Sequence, residues 1–215
     1  MTPDFLIILD AGHGGLDPSG KYTTAPAKQH HHTKGAFHGG GWFYEGVWNR
    51  TLVQAVADKL QMLQIPFLTL HHPYLDLSLS YRVEKANYYS RFYPRCALVS
   101  SHANASPGHD ARGFEVYTTP GNTRSDIFAE MYWNQVATLL GDDIQMRSEL
   151  SDTDHDKESN FQILRSSRMP AILIEHLFFD HPDDAALLLQ ADIVERFAEA
   201  QVRAILEFFS GYTNG

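Results

Sequence analysis

The sequence predicts an α/β fold: a single-domain sandwich whose twisted sheet is mostly parallel and carries helices on both faces. Three observations carry that reading. Short apolar runs such as Phe5-Leu6-Ile7-Ile8-Leu9 and Ala171-Ile172-Leu173-Ile174 are continuous rather than alternating, as in strands buried on both faces. These runs alternate with segments of helical periodicity. No internal repeat or interdomain linker interrupts the 215 residues, so one domain spanning 1–215, with no separate binding domain, is expected.

Taken in order, Phe5 to Leu9 is the first strand. The segment from about Ala11 to Tyr44 is rich in Gly and His and reads as one long irregular loop, a length that is usually functional. From Gly46 to Leu63, the spacing of Leu52, Val53, Val56, Leu60 and Leu63 predicts a helix. Pro66 ends that unit, and Phe67 to Leu70 is a short strand. Leu79 to Tyr93 reads as a second helix with Ser78 as its cap. Cys96 to Ser101 and Gly113 to Thr118 are strands. Ser125 is a candidate cap for a third helix bearing Ile127, Met131, Val136 and Leu140. Gly141 to Ser159 is polar and acidic and reads as a loop or lid. Phe161 to Arg165 and Ala171 to Glu175 read as the last strands, and Asp183 or Asp184 opens a helical region reaching about Phe209.

Composition narrows the function. Hydrophobic residues make up 43% of the chain and aromatic residues 12%, enough for a large core. The formal net charge of -9 and the lack of any Lys/Arg run argue against a nucleic-acid partner and against anionic lipids. The single cysteine, Cys96, rules out an internal disulfide and reads as a buried strand thiol. No apolar stretch approaches the roughly 20 residues of a membrane span. Phe5 to Leu9 also lacks a basic segment before it and meets Asp10 after it, so it is not expected to be a signal peptide.

Four ionisable residues, each in its own short motif, carry the chemistry. His13 sits in Leu9-Asp10-Ala11-Gly12-His13-Gly14-Gly15, Glu45 in Tyr44-Glu45-Gly46, His102 in Ser100-Ser101-His102-Ala103-Asn104-Ala105, and Glu175 in Ile172-Leu173-Ile174-Glu175. Ligands in such sheets lie beyond the carboxyl ends of the strands, and His13, His102 and Glu175 all fall at or just past such an end. Two histidines and a carboxylate suit a Zn²⁺ site with an open position. A carboxylate ending an apolar strand, as Glu175 does, must be paired, bound to metal or raised in pKa; a buried pair with Arg165 or Arg168 is the structural alternative. The run His30-His31-His32, with His38, is expected in a solvated loop. His176 and His181 flank the last motif and are candidates to line the site. Trp42, Phe43, Tyr44 and Trp48 bracket Glu45 as core residues or as a stacking surface.

The ordered series resembles the zinc-dependent N-acetylmuramoyl-L-alanine amidases often called amidase 3, a family that includes bacterial cell-wall amidases and phage endolysins. Besides the four motifs, the resemblance runs through Glu45 with Asn49, Leu79-Ser80-Tyr81-Arg82 with Ala86-Asn87, Gly113-Phe114-Glu115-Val116-Tyr117, Phe161-Gln162-Ile163-Leu164-Arg165 and Met169-Pro170. It implies His13, Glu45 and His102 as ligands of one Zn²⁺ and Glu175 as the catalytic glutamate. It implies hydrolysis of the amide between the muramic-acid lactyl group and L-alanine, with peptidoglycan as partner. It further implies action on the cell wall, either as a wall enzyme or as a phage-type lysin made in the cytoplasm. A zinc peptidase or amidase of other specificity, or a wall-binding module with a decayed site, are the alternatives. The sequence departs from the family after Glu175, where it reads His176-Leu177-Phe178-Phe179-Asp180, and in the segment Gly141 to Ser159.

Overall fold

A computed structural model describes residues 4–35, 37–149 and 154–211. In chain order the elements are β1 (Phe5–Ala11), β2 (Gln29–His31), β3 (Trp42–Tyr44), α1 (Glu45–Met62), β4 (Phe67–Thr69), α2 (Leu79–Tyr89) and β5 (Arg95–Asn104). These are followed by β6 (Glu115–Thr118), α3 (Arg124–Leu140), β7 (Lys157–Glu158), α4 (Gln162–Arg165), β8 (Ala171–Phe178), α5 (Pro182–Leu188) and α6 (Ala191–Ser210).

Six strands form one sheet in the order β4-β1-β5-β8-β6-β7. The strands β4, β1, β5 and β8 are mutually parallel, and β6 runs antiparallel to β8. Both faces are covered, as continuous apolar strands require. On one face Ile7, Leu9, Val99, Ile172 and Ile174 pack against α1, α3 and α6, whose inner sides supply Leu52, Phe128 and Phe197. On the other face Leu6, Ile8, Leu98, Ala171 and Leu173 meet Val83 and Ala86 of α2 and Ile163 and Leu164 of α4. This second layer is thinner, which leaves room for a cleft at its open end. Among the described residues no helix is long and apolar enough to cross a membrane.

Several sequence expectations are corrected. The long segment Ala11–Tyr44 is not wholly irregular, because β2 and β3 form a small antiparallel sheet pairing His30 with Phe43. Thr123, not Ser125, caps α3: its hydroxyl accepts from Ser125 N at 3.1 Å, and the Asp126 carboxylate accepts from Thr123 N. Ser125 instead accepts a bond from Ala171 N at 3.1 Å, tying α3 to β8. Phe161 to Arg165 is not a strand; Gln162–Arg165 forms one helical turn. Its two adjacent apolar residues, Ile163 and Leu164, are both buried, which a helical turn on one sheet face allows and strand alternation does not. The C-terminal helical region is broken at Leu189-Gln190, and His181 caps α5 by accepting from Asp183 N at 3.2 Å. Within Gly141 to Ser159 the segment carries β7 at the sheet edge, while residues 150–153 lie outside the described residues.

Candidate metal and catalytic site

Strand parity decides which side chains reach the cleft. Side chains alternate along a strand. In β8, Ile172 and Ile174 face the thick helical layer, so Leu173 and Glu175 face the thin one. In β5 the same parity puts Ser100 and His102 on the thin side, opposite Val99 and Ala103. His102 and Glu175 are register partners on these neighbouring strands. Both lie inside their strands rather than beyond them, because β5 runs on to Asn104 and β8 to Phe178.

His13 follows β1 in a left-handed conformation, with φ of 65°. A non-glycine residue there is held against its preference. Two guanidinium groups, that of buried Arg82 and that of half-buried Arg50, hold it. The His13 carbonyl accepts from Arg50 Nη2 at 2.8 Å and from Arg82 Nη2 at 3.1 Å. Arg82 also donates to Asp10 and to the Ala11 carbonyl, and Asp10 in turn accepts from Ser100 Oγ at 2.8 Å. Burial opposes ionisation of Asp10, but Arg82 outweighs it and holds the carboxyl below its ordinary range. The glycine before His13 is required by contact: a Cβ on Gly12 would lie 2.0 Å from the His102 ring.

Glu45 is the first residue of α1 and is fully buried. Gly46 lets that helix end approach the His13 loop, since a Cβ there would lie 1.9 Å from the Gly14 carbonyl oxygen. Asn49, one turn on, donates to the Gly12 carbonyl at 3.1 Å and so fixes α1 to the same loop.

The structure thus brings His13, Glu45 and His102 together from β1, α1 and β5. One donor atom of each lies within 4.8 Å of the others, and this is the one such group found among the described residues. Glu45 Oε1 lies 2.9 Å from His102 Nδ1 and 3.2 Å from His13 Nε2. Two buried atoms of the set, His13 Nε2 and Glu45 Oε2, have no hydrogen-bond partner. Buried polar atoms rarely go unpaired, so a polar group or ion is owed to them. Burial pushes the His13 pKa down, keeping the imidazole neutral, as a metal ligand must be. Burial opposes ionisation of Glu45, but the two histidines prevail and keep it a carboxylate. Nitrogen and oxygen donors of this kind fit a borderline divalent metal such as zinc.

Glu175 opens on the same cleft, about 190 Å³ in volume, together with His13, His102, Lys28 and Phe161. No ion pair forms between Glu175 and Arg165 or Arg168, and its Oε2 is buried without a partner. Burial and then the charge of Glu45 raise its pKa well above the ordinary value. Its register neighbour on the other side, Glu115, is the opposite case. Glu115 accepts from Lys157 Nζ at 2.7 Å, Tyr117 Oη at 2.7 Å, Asn104 Nδ2 at 3.0 Å and Arg147. Burial opposes its ionisation, yet those donors hold its pKa down. Of two carboxylates side by side, one is saturated and structural and the other is left available.

The remaining histidines separate from this site. His30, His31, His32 and His109 line a different cleft with Asp180. His176 does not line the site: it is buried on the thick face of β8, bonded to Tyr132 Oη at 3.0 Å and the His102 carbonyl at 2.9 Å. The departure after Glu175 is therefore largely a core feature. Asp180 at its end accepts from Ser106 N at 2.9 Å. Sequence reading assigned no role to Arg50, Arg82 or Lys28. Arg82 carries a signal, a cation on the helical stripe it shares with Val83 and Ala86; Lys28, in an irregular segment, carries none.

The family model described as N-acetylmuramoyl-L-alanine amidase matches residues 7–207. This chain belongs to that family. The endolysin of Bacillus phage SPP1 is 26% identical to it over 95% of the chain and 66% of the relative. The N-acetylmuramoyl-L-alanine amidase CwlM of Bacillus licheniformis is 24% identical over 95% of the chain and 68% of the relative. The chain therefore spans about two thirds of the length of these curated relatives. Among solved structures, the N-acetylmuramoyl-L-alanine amidase from Clostridium difficile 630 superposes with a TM-score of 0.78 at 25% identity, covering 97% of this chain and 98% of that one. AmiC2 of Nostoc punctiforme shares the fold, with a TM-score of 0.74 at 24% identity over 98% and 99% of the two chains.

Proposed function

We propose that this protein hydrolyses the amide between the lactyl group of N-acetylmuramic acid and L-alanine in peptidoglycan. In this reading His13, Glu45 and His102 hold one Zn²⁺, and Glu175 is the proton-transferring residue. The observation that carries it is the pairing of a compact two-histidine, one-carboxylate set with an unpartnered carboxylate one strand away.

Zinc held there supplies a Lewis acid for the amide carbonyl and lowers the pKa of a bound water toward about 7. Glu175 takes a proton from the attacking water and returns it to the leaving alanine nitrogen as the C–N bond breaks. Its environment suits both halves of that cycle. Burial keeps its proton affinity high, so it accepts a proton readily near neutral pH, while a cation at the neighbouring set keeps the charged form accessible. Asn49, Arg50 and Arg82 position His13 and Glu45 through the backbone of the Gly12–His13 loop.

The test is a digest of purified peptidoglycan with the zinc-loaded protein, read by mass spectrometry. Intact stem peptides with a free N-terminal alanine are expected. Cleavage within the stem points to a peptidase of other specificity, and zinc binding with no released amine points to a decayed binding module.

A further inference from the structure

Lys28 enters the same cleft from the segment between β1 and β3. Its backbone is held at two points. Lys28 N donates to the Ala25 carbonyl at 3.0 Å, closing the 3-10 turn Pro26–Lys28. The Lys28 carbonyl accepts from Tyr22 Oη at 3.1 Å, and the same hydroxyl accepts from Gly46 N at 3.0 Å. The residue is thereby fastened to the first turn of α1, beside Glu45. Its ammonium lies 3.6 Å from Glu45 Oε2, in the cleft that Glu175 lines. Nζ makes no hydrogen bond among the described residues, so its donors remain available, and no other cation lines that cleft.

We propose that Lys28 is a further catalytic residue, donating a hydrogen bond to the amide carbonyl oxygen as that oxygen gains negative charge. This rests on the amidase reading above. An ammonium 3.6 Å from Glu45 Oε2, on a cleft shared with His13, His102 and Glu175, can reach a substrate oxygen held between those residues. Two carboxylates, Glu45 and Glu175, lie at this cleft, and Lys28 adds a fixed hydrogen-bond donor there beside the Lewis acid that zinc would supply. Lys28 transfers no proton in this scheme. The water proton goes to Glu175 and then to the leaving amine, and the carbonyl oxygen ends in the product carboxylate.

The experiment compares wild type with Lys28→Met and Lys28→Arg, each loaded with zinc. Loss of one preorganised oxyanion donor typically lowers kcat by about 10²–10³-fold, and that fall is expected in K28M with KM little changed. Zinc content should remain one per chain, and K28R should recover part of the turnover. A phosphinic analogue of lactyl-L-alanine, with a tetrahedral P–O⁻ in place of the carbonyl, should bind K28M more weakly by a comparable factor. Unchanged turnover in K28M overturns the proposal. So does zinc loss, which makes Lys28 a positioning residue for Glu45. So does a rise in KM confined to stems bearing a free α-carboxylate and absent with amidated stems, which makes it a substrate anchor. If wild type itself releases no amine, the amidase reading fails on its own. The binding comparison still decides for Lys28, since equal affinity of both proteins for the phosphinate rejects it.

Discussion

His102 and Glu175 are Cα register partners on adjacent parallel strands, and their side chains share the thinly covered face of the sheet. One lies among the candidate ligands and the other stands unpaired beside them. The register makes the separation between the candidate metal site and the candidate proton acceptor a property of the sheet, which deforms little, rather than of a loop.

That division of labour is testable at Glu175. Glu175→Gln keeps the shape and removes the proton acceptor. Turnover should fall by about 10²–10⁴-fold, the usual worth of a general base, while zinc content measured by elemental analysis stays at the wild-type level. Loss of zinc in this variant would make Glu175 a ligand and overturn the assignment.

Metal removal should act on both activity and stability. Chelator should abolish amine release, and added zinc should restore it. Because the ion binds the folded set and not the separated residues, free zinc at about 1,000 times its Kd should stabilise the protein by about 4 kcal/mol. Thermal unfolding with and without zinc reads this directly. His13→Ala and His102→Ala should lose the zinc-dependent rise in Tm.

Gly12 should tolerate no side chain. In Gly12→Ala the new Cβ would lie 2.0 Å from the His102 ring, so His102 must move or the β1 end must shift. The expected result is a folded protein, by circular dichroism, with much weaker zinc binding. Wild-type zinc affinity in G12A would contradict the tight packing of loop on ring.

The Asp10–Arg82 pair should be structural. Both side chains are 2% exposed. Removing one partner of a buried pair typically costs about 3–5 kcal/mol, because it strands the other charge. Arg82→Met should lose that much in urea unfolding, and the double variant Asp10→Asn, Arg82→Met should lose less than R82M alone.

Stability should fall on the acid side of neutrality through His176. Burial pushes its pKa from 6.5 down to about 3 in the folded protein. As pH falls the unfolded chain takes up this proton first, so the contribution is complete above about 6.5 and is lost progressively toward 3. The loss is on the order of a few kcal/mol. Urea midpoints at pH 7 and pH 4 should differ more for wild type than for His176→Gln; an identical pH dependence would remove His176 from the account.

The α/β class, most of the elements and the four candidate site residues are legible in the sequence because each depends on local pattern. Continuous apolar runs mark strands buried on both faces, helical spacing marks α1, and a glutamate closing an apolar strand is conspicuous wherever it occurs. Element boundaries at Phe161 to Arg165 and at the α3 cap were decided elsewhere. A turn of Ile163 and Leu164 is chosen by the face it covers, and Thr123 wins the cap because Ser125 is taken by Ala171. The tertiary structure supplied the physical difference between Glu175 and Glu115, two carboxylates on paired strands, by surrounding one with donors and leaving the other none. Only it removed His176 to the core and brought Lys28 to Glu45. Pattern along the chain records what each residue is, but the proton affinity and reach of a charged group depend on burial and on neighbours that are distant in sequence.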